Sequence, residues 1–512
     1  MSPPALPRLP RAPAVMQRRR LSERVAAGLD AIVAIAPQDA DPAQLSELPH
    51  AARWRELHAR ARRSGAPACA TLATARGTWA VLGLLPRAAS VFETLTLAGR
   101  MFKEIASRHV ESLAIAAPGA AWGAPDPLGA LLSAALAHAF ELPSFRKPAR
   151  RSRVRRIELI AAARADLEFI QASASANNLA RHLTALPANV LDARSFRRFI
   201  VALAREHRLA VRWLDERALA RLGANAFLAV AAGNAERTAG IAHLAYRPRS
   251  GSTRHGRSPD VALIGKGILF DTGGTNLKPH RAMLDMHTDM AGSAVALAVL
   301  TALASLNAPV SADAWLAITE NRAGPRAYRP QDVVRAANGT TIQVIHTDAE
   351  GRMVLADTLA LAGRTAPRLM LDFATLTGAC VYALTERMSG VFTNEPELTE
   401  RLLGAGRSSG ERVWGFPFDA DYDSDLESKV ADILQCAPEG KGDHILAARF
   451  LSRFVPAGIP WAHLDLSSAV RPGGLAHIHT DVTGFGVRYA LELILKARVL
   501  ESLAALPRAP RR

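Results

Sequence analysis

Seven residues in two short segments are of types that do chemistry together. Gly265–Ala294 reads GKGILFDTGGTNLKPHRAMLDMHTDMAGSA and holds Lys266, Asp271, Lys278 and Asp289. Ile345–Leu359 reads IHTDAEGRMVLADTL and holds Asp348, Glu350 and Arg352. Asp348 and Glu350 stand two residues apart, a spacing that in extended backbone points both carboxylates to one side. Acids held together repel unless something positive lies between them. Asp271 and Asp289 add two more carboxylates, each near glycines (Gly273, Gly274, Gly292) that permit tight turns. Four carboxylates balance two divalent cations, and a dinuclear site of that kind clamps and activates a water for hydrolysis. Oxygen-rich ligation suits zinc, manganese or magnesium rather than a thiol-seeking metal.

The lysines sharpen this reading. The chain has 63 Lys+Arg but only seven lysines, two of which are Lys266 and Lys278. Beside dications a lysine can lose its proton and coordinate a metal, which an arginine practically cannot do. One of the two therefore suits a neutral ligand and the other a charged partner for an oxyanion. Any one of these acids alone reads as a solvated loop carboxylate. The interleaving of four acids, two lysines and an arginine is what gives the pattern meaning.

Such acids must be carried to one place by regular elements. Both segments follow apolar, strand-like runs, and α/β folds build their sites at the carboxyl ends of strands. Residues 1–20 read as a disordered leader. Residues 21–156 read as a smaller mixed α/β domain with a linker, containing a strand-like Thr78–Leu85, a helix-like Leu128–Leu142 and a basic linker at Arg146–Arg156. Residues 157–186 read as one connecting helix. From 187 to 505, strand-like runs (Val261–Ile264, Ile342–Ile345, Leu369–Phe373) alternate with helix-like ones (Met290–Leu306, Met353–Leu361). That alternation predicts a larger catalytic domain with a mostly parallel central sheet flanked by helices. The overall class is two-domain α/β. Pro507–Arg512 reads as a frayed tail.

Composition excludes several alternatives. The chain has 512 residues, 49% of them hydrophobic and 21% charged, enough for large cores and too apolar for wholesale disorder. Three cysteines, Cys69, Cys380 and Cys436, with no close pairing, argue against a disulfide framework and for a reducing cytoplasm. The net charge of +16 comes with an arginine-heavy, alanine-rich composition and no aromatic-interleaved basic motif, so a nucleic-acid partner is the weaker reading. Glu23, Arg24 and Asp30 interrupt any apolar stretch after Arg18–Arg20, against an export signal. Ala291–Val310 is long and nearly free of charge, but its Ala, Gly and Ser content suits a buried helix better than a membrane span. The GRSSG run Gly406–Gly410 fits a nucleophile elbow only after a strand; it follows a helix-like ELTERLLGAG and reads as a loop.

The two acidic segments resemble those of the leucyl aminopeptidase (cytosol aminopeptidase) family of dinuclear metallopeptidases. The similarity runs from about Leu179 to Leu495 and includes LGANAFLAVAAGN (Leu222–Asn234), ENRAGPRAYRPQDVV (Glu320–Val334), LDFATLTGA (Leu371–Ala379) and TGFGVR (Thr483–Arg488). The resemblance implies that Asp271 and Glu350 bridge two metals, that Asp348 completes one site, and that Lys266 and Asp289 complete the other. It gives Lys278 the polarisation of the scissile carbonyl and stabilisation of the gem-diolate. It gives Arg352 a bicarbonate that acts as general base. Met286, Thr375 and Gly378 match positions lining the pocket for the substrate's first side chain. The implied activity is release of N-terminal residues, leucine-type, from short peptides, with Mn2+ or Zn2+ as cofactor. The implied assembly is a homohexamer of two trimers in the cytoplasm, with no membrane partner.

The chain departs from the family pattern in places. Asn is usual where His346 stands, and Lys or Arg where His287 stands; neither is a position that ligates metal. LSSAV (Leu466–Val470) and KGDHILAA (Lys441–Ala448) differ from the family's small-residue versions, which bears on the rim of the site. The alternatives to a broad aminopeptidase are a narrow dipeptidase, such as one for Cys-Gly, and a non-catalytic, DNA-associated regulatory protein of the same fold.

Overall fold

The computed structural model describes residues 6–118, 126–147, 154–161, 167–248 and 258–503. Six strands form the N-terminal sheet: β1 (Ala14–Arg18), β2 (Ala31–Pro37), β3 (Ala68–Thr71), β4 (Trp79–Leu85), β5 (Ser112–Ala116) and β6 (Arg156–Ile160), in the order β1-β6-β5-β2-β4-β3. All neighbours run parallel except β3, which is antiparallel to β4. The sequences AIVAIAP of β2 and SLAIA of β5 are buried throughout, as central parallel strands covered on both faces must be. Helices Val91–Lys103 and Pro127–His138 cover one face and helix Ala51–Ser64 the other. The first of these starts from a capping box in which Ser90 and Glu93 satisfy each other's backbone amides.

Two boundaries differ from the sequence expectation. Residues 14–18, placed in a disordered leader, form edge strand β1, paired in register with β6. The partner lies about 140 residues downstream, beyond the reach of any local pattern, and the half-exposed AVMQR carries a weak signal of its own. Residues 157–186 are not one helix: RIELI is β6, and the helix is Leu167–Thr184. Ile157 and Leu159 alternate with Glu158, a period of two; Glu158 is buried and neutralised by Arg18 at 2.7 Å and Arg156 at 3.5 Å. Arg156 thus belongs to β6, and residues 148–153 of the expected basic linker lie outside the described residues. The C-terminal tail and residues 1–5 lie outside the described residues.

The C-terminal unit continues with β7 (Ala210–Asp215), β8 (Gly240–Tyr246), β9 (Val261–Asp271), β10 (Ala312–Asn321), β11 (Val333–Arg335) and β12 (Thr341–Gln343). It ends with β13 (Leu369–Ala374), β14 (Ser389–Thr393), β15 (Val413–Gly415), β16 (Ile433–Leu434) and β17 (Trp461–Asp465). Eight strands form one sheet in the order β15-β14-β17-β13-β9-β10-β8-β7. Its centre, β17-β13-β9-β10, is parallel, and the antiparallel pairs sit toward the edges. The run at Ile342–Ile345 supplies β12, which joins β11 and β16 in a separate three-stranded sheet rather than the main one.

Two helices sandwich the middle strands. Ala291–Ser305 packs in the core on one face and Glu350–Gly363 in the core on the other. The apolar segment that could be mistaken for a membrane span is thus an internal helix, 89% of its apolar window buried. It approaches the sheet closely because its contacts are glycines: a Cβ on Gly292 would lie 2.0 Å from the Phe373 carbonyl oxygen, and one on Gly265 2.5 Å from Ser293 Cα. Gly406–Gly410 is not a loop: its first four residues end helix Thr399–Ser409, and Gly410 follows at φ 78°. The two units meet through helix Leu167–Thr184 and the segment 476–488. There Asn177 donates to the carbonyls of Thr483 and Gly484, His479 pairs with the Gly99 carbonyl, and Arg488 reaches Ser133.

Candidate active site

Three strand ends and two helix starts converge at the carboxyl edge of the parallel strands. Lys266 lies within β9 and Asp271 ends it. The chain then turns through Gly273 and Gly274, at φ 85° and 65°, the left-handed region that glycine enters without strain. That turn is locked to the 345–349 segment: Asn276 and Thr347 exchange hydrogen bonds, each backbone amide donating to the other's side chain at 2.8–2.9 Å. Lys278 follows, and Asp289 sits between the short 3-10 turn Met286–Thr288 and helix Ala291–Ser305.

Asp348 and Glu350 do converge, but not along extended backbone. Asp348 lies in a turn, Ala349 has φ −107° and ψ 37°, and Glu350 is the first residue of helix Glu350–Gly363. The two carboxylates are therefore brought together by a helix entry, where negative charge is also favoured by the exposed amides.

The two ammonium groups mark where positive charge is needed. Lys266 Nζ lies 2.7 Å from Asp289 Oδ1, 2.9 Å from Glu350 Oε1, and donates to the Thr375 carbonyl at 2.9 Å. Lys278 Nζ lies 2.9 Å from Asp271 Oδ2 and 2.5 Å from Asp348 Oδ1. Ligand-type oxygens of Asp271, Asp348 and Glu350 all fall within 4.8 Å of one another, a grouping suited to a metal ion. Asp289 Oδ2 is buried with no hydrogen-bond partner among the described residues, an oxygen lone pair left free on one of the clustered carboxylates.

Four carboxylates against two lysines leave the site two charges too negative. The acids respond accordingly. Burial, with Glu350 and Asp271 nearby, pushes Asp289 up to about 8 against the pull of Lys266. Burial and the charges of Asp271 and Glu350 push Asp348 up to about 7. Glu350 also moves up, through burial and Asp271. Burial alone would lower both lysines, yet the surrounding carboxylates hold each above its ordinary value. Oxygen donors, an excess of negative charge and an unpartnered buried carboxylate oxygen fit divalent cations.

The remaining expected residues are placed as follows. Thr375 is half-buried and donates its hydroxyl to Asp289 Oδ1 at 2.6 Å. Met286 is half-buried in the turn before Asp289, and Gly378 is exposed at the start of helix Gly378–Leu384. Arg352 is buried at 2% side-chain exposure and does not contact the acidic cluster: its Nη2 donates to both carboxylate oxygens of Asp443 at 2.8 Å, and its Nη1 to the Gln435 carbonyl at 3.2 Å. His346 is exposed, accepts the Asp348 amide on Nδ1 at 3.3 Å, and is lowered by burial and the charge of Lys278. His287 is half-buried and is also lowered, by burial.

Several residues at the site were not singled out from sequence. Asn321, the last residue of β10, donates to Asp271 Oδ1 at 2.8 Å and to the Thr347 carbonyl at 3.1 Å, fixing one carboxylate against the other segment. The signal available was a lone amide ending the buried run ADAWLAITEN. Asp465, at the end of β17, accepts from the Leu376 and Thr377 amides and the Thr377 hydroxyl, and so pins the 375–378 turn. Nothing local in LDLSS announces that role.

Fold and site together define a two-domain α/β metallohydrolase, its acidic centre at the carboxyl ends of parallel strands. The catalytic-domain profile of the cytosol aminopeptidase family matches residues 178–491, and the chain belongs to that family. A probable cytosol aminopeptidase of Parasynechococcus marenigrum is 38% identical over 418 residues, 80% of this chain and 84% of the relative. One of Syntrophotalea carbinolica is 42% identical over 320 residues, a match spanning 62% of each chain. Among solved structures, the bottromycin maturation enzyme BotP in complex with Mn superposes with a TM-score of 0.80 at 31% identity, over 92% of this chain and 99% of that one. A tomato leucine aminopeptidase variant gives a TM-score of 0.82 at 25% identity, over 96% and 98%. The likeness of fold therefore extends through the N-terminal domain, where the sequence resemblance is loose.

Proposed function

We propose that the protein is an aminopeptidase that releases N-terminal residues, leucine-type, from short peptides. The observation that carries this is the buried centre of four carboxylates and two lysines, in the fold of the cytosol aminopeptidase family. Asp271, Asp289, Asp348, Glu350 and Lys266 would hold two divalent cations, and the manganese named for BotP supports that ion. Bound there, the cations supply Lewis-acid activation of water and polarisation of a carbonyl.

The chain's own residues do the rest. Lys278 keeps 14% side-chain exposure against 3% for Lys266, so its ammonium is the one a substrate carbonyl can approach. As negative charge develops on that oxygen, a preorganised cation in a water-poor site stabilises it. Thr375, tied to Asp289, together with Met286 and Gly378, would line the pocket for the first side chain. The free N-terminal amine would bind at the cation held by Lys266 and Asp289, which would limit cleavage to the first peptide bond. A homohexamer in the cytoplasm belongs to the same reading; it would cover exposed apolar side chains such as Leu277 and Tyr382.

The test is to strip the protein with a chelator, restore manganese or zinc, and follow release from leucine p-nitroanilide. Activity should vanish and return with metal. Lys278→Ala should still bind metal but lose about 100-fold or more in kcat. Metal binding without turnover on the anilide or on any of a panel of dipeptides, or an unimpaired Lys278→Ala, would defeat the proposal.

A further inference from the structure

The Arg352–Asp443 pair joins the acidic segment to KGDHILAA, a stretch read from sequence as a departure from the family pattern. Asp443 opens helix Asp443–Ser452, preceded by Gly442 at φ 60°. Its carboxylate takes two charge-assisted hydrogen bonds from one nitrogen of a buried arginine that stands two residues beyond Glu350 on the same helix. The two halves of the pair differ in access: the Arg352 side chain is 2% exposed and that of Asp443 26%. The carboxylate is thus the half that a substrate or water can reach. The pair is tied to the segment that carries Asp348 and Glu350 through Gln435, whose carbonyl accepts Arg352 Nη1 at 3.2 Å while its side-chain amide donates to the Ala349 carbonyl and accepts from the His346 amide, both at 3.1 Å.

Peptide hydrolysis requires a group that accepts a proton from the attacking water and delivers one to the leaving amine. Asp271, Asp289, Asp348 and Glu350 are committed to cations. Asp443 is a carboxylate linked to their segment through Arg352 and Gln435 with no such commitment, and a buried guanidinium fixes its orientation. We propose that Asp443 is the resident proton acceptor of the reaction, in the role that the family resemblance gives to a bicarbonate on Arg352. As the water oxygen bonds to the scissile carbonyl carbon, one water proton passes to the Asp443 carboxylate. The C–N bond then breaks with its electron pair on nitrogen, and Asp443 returns the proton to that amine. One water is consumed and the carboxylate is restored.

This inference rests on the aminopeptidase reading, and its test separates the two. The manganese-loaded enzyme is assayed in degassed, bicarbonate-free buffer and again with added bicarbonate. Wild type should turn over equally in both. Asp443→Ala should lose about 100-fold in kcat without bicarbonate and recover at least about tenfold with it, KM changing little, because the vacated guanidinium can take the anion. Asp443→Asn should show the same loss without recovery, since the amide fills the place; melting temperatures verify that both variants fold. Should Asp443→Ala fail to fold, the loss in Asp443→Asn and the indifference of wild type to bicarbonate decide. Activation of wild type by bicarbonate, full kcat in either variant, or a loss in Asp443→Ala that bicarbonate leaves untouched would overturn the assignment and leave Asp443 as a clamp for Arg352. An inactive, metal-loaded wild type would sink the peptidase reading and this inference with it.

Discussion

Two glycines beside the site should respond oppositely to the same methyl group. A Cβ on Gly292 would sit 2.0 Å from the Phe373 carbonyl oxygen, 2.7 Å from Phe373 C and 3.0 Å from Lys266 N. All three are backbone atoms, so no side chain can rotate away. Ordinary contact begins at 3.4 Å, so helix Ala291–Ser305 would have to retreat from the sheet by about 1.4 Å, the difference between 3.4 and 2.0. Overpacking of this kind costs about 3 kcal/mol, the upper end of the usual range, which for a domain of this size lowers melting by roughly 5 °C. The retreat also acts at both ends of the Lys266–Asp289 contact, since Lys266 supplies one of the clashing atoms and Asp289 lies three residues before Gly292. A shift of about 1 Å there should cost about 100-fold in kcat/KM. At Gly378 nothing among the described residues lies within 4 Å of the added carbon. Gly378→Ala should melt no lower than wild type, and the methyl should register only in KM, through the substrate's first side chain. Thermal melts and metal-loaded kinetics on both variants test this. Gly292→Ala melting within about 1 °C of wild type with full activity, or an equal destabilisation by Gly378→Ala, would refute the close-packing argument.

Asp357 offers a pH test away from the metal ligands. It is fully buried and accepts the amides of Phe227 at 2.8 Å and Ala337 at 2.7 Å, yet burial pushes it up to about 7. An acid raised in this way keeps its proton in the folded state after the unfolded chain has lost it, so stability falls as pH rises from about 4 to 7 and levels off above. Between pH 5 and 7, urea unfolding should show wild type losing about 2 kcal/mol relative to Asp357→Asn; a difference that stays constant with pH would refute it. Asn321→Ala removes the donor that holds Asp271 against Thr347. It should weaken manganese binding about 10- to 100-fold by calorimetric titration, and unchanged affinity would show that Asp271 needs no such support.

How much of this fold could be read in advance depended on where each element's partner lies. The central strands were legible because a parallel strand covered on both faces is a nearly continuous apolar run, as Val261–Ile264 is throughout and Leu369–Phe373 is but for the buried Asp372. Helix Ala291–Ser305 was legible for the same reason. β1 and β6 were not, because β1 pairs with β6 across about 140 residues, β6 also draws on β5, and the buried Glu158 is neutralised in part by Arg18 from that distance. The main sheet and the small β11-β12-β16 sheet likewise draw on runs that look alike locally. Membership was decided by which strand end meets Ile433, something no window around Ile342 contains.

The site divides along the same line, and the division bears on mechanism. Six of its charged residues were found because charge is rare inside an apolar domain and theirs is concentrated in two segments. The spacing of Asp348 and Glu350 pointed to convergence, although the turn into a helix, not extended backbone, brings it about. What escaped were residues defined by what they hold: Asn321 by Asp271, Asp465 by the turn carrying Thr375, and Asp443 by Arg352. Each lies on a different strand end or helix start from the group it holds, separated in sequence by 50, 89 and 91 residues. Of the three, only Asp443 adds a full negative charge at an otherwise invitingly cationic arginine, so only there does tertiary structure change the expected chemistry rather than support it. If Asp443 proves inert toward protons, the pair becomes one more positioning contact, and the proton acceptor must come from solution. Activation of wild type by bicarbonate would expose the second case without any substitution, whereas indifference is expected of a guanidinium already holding two carboxylate oxygens and leaves the decision to Asp443→Ala and its rescue.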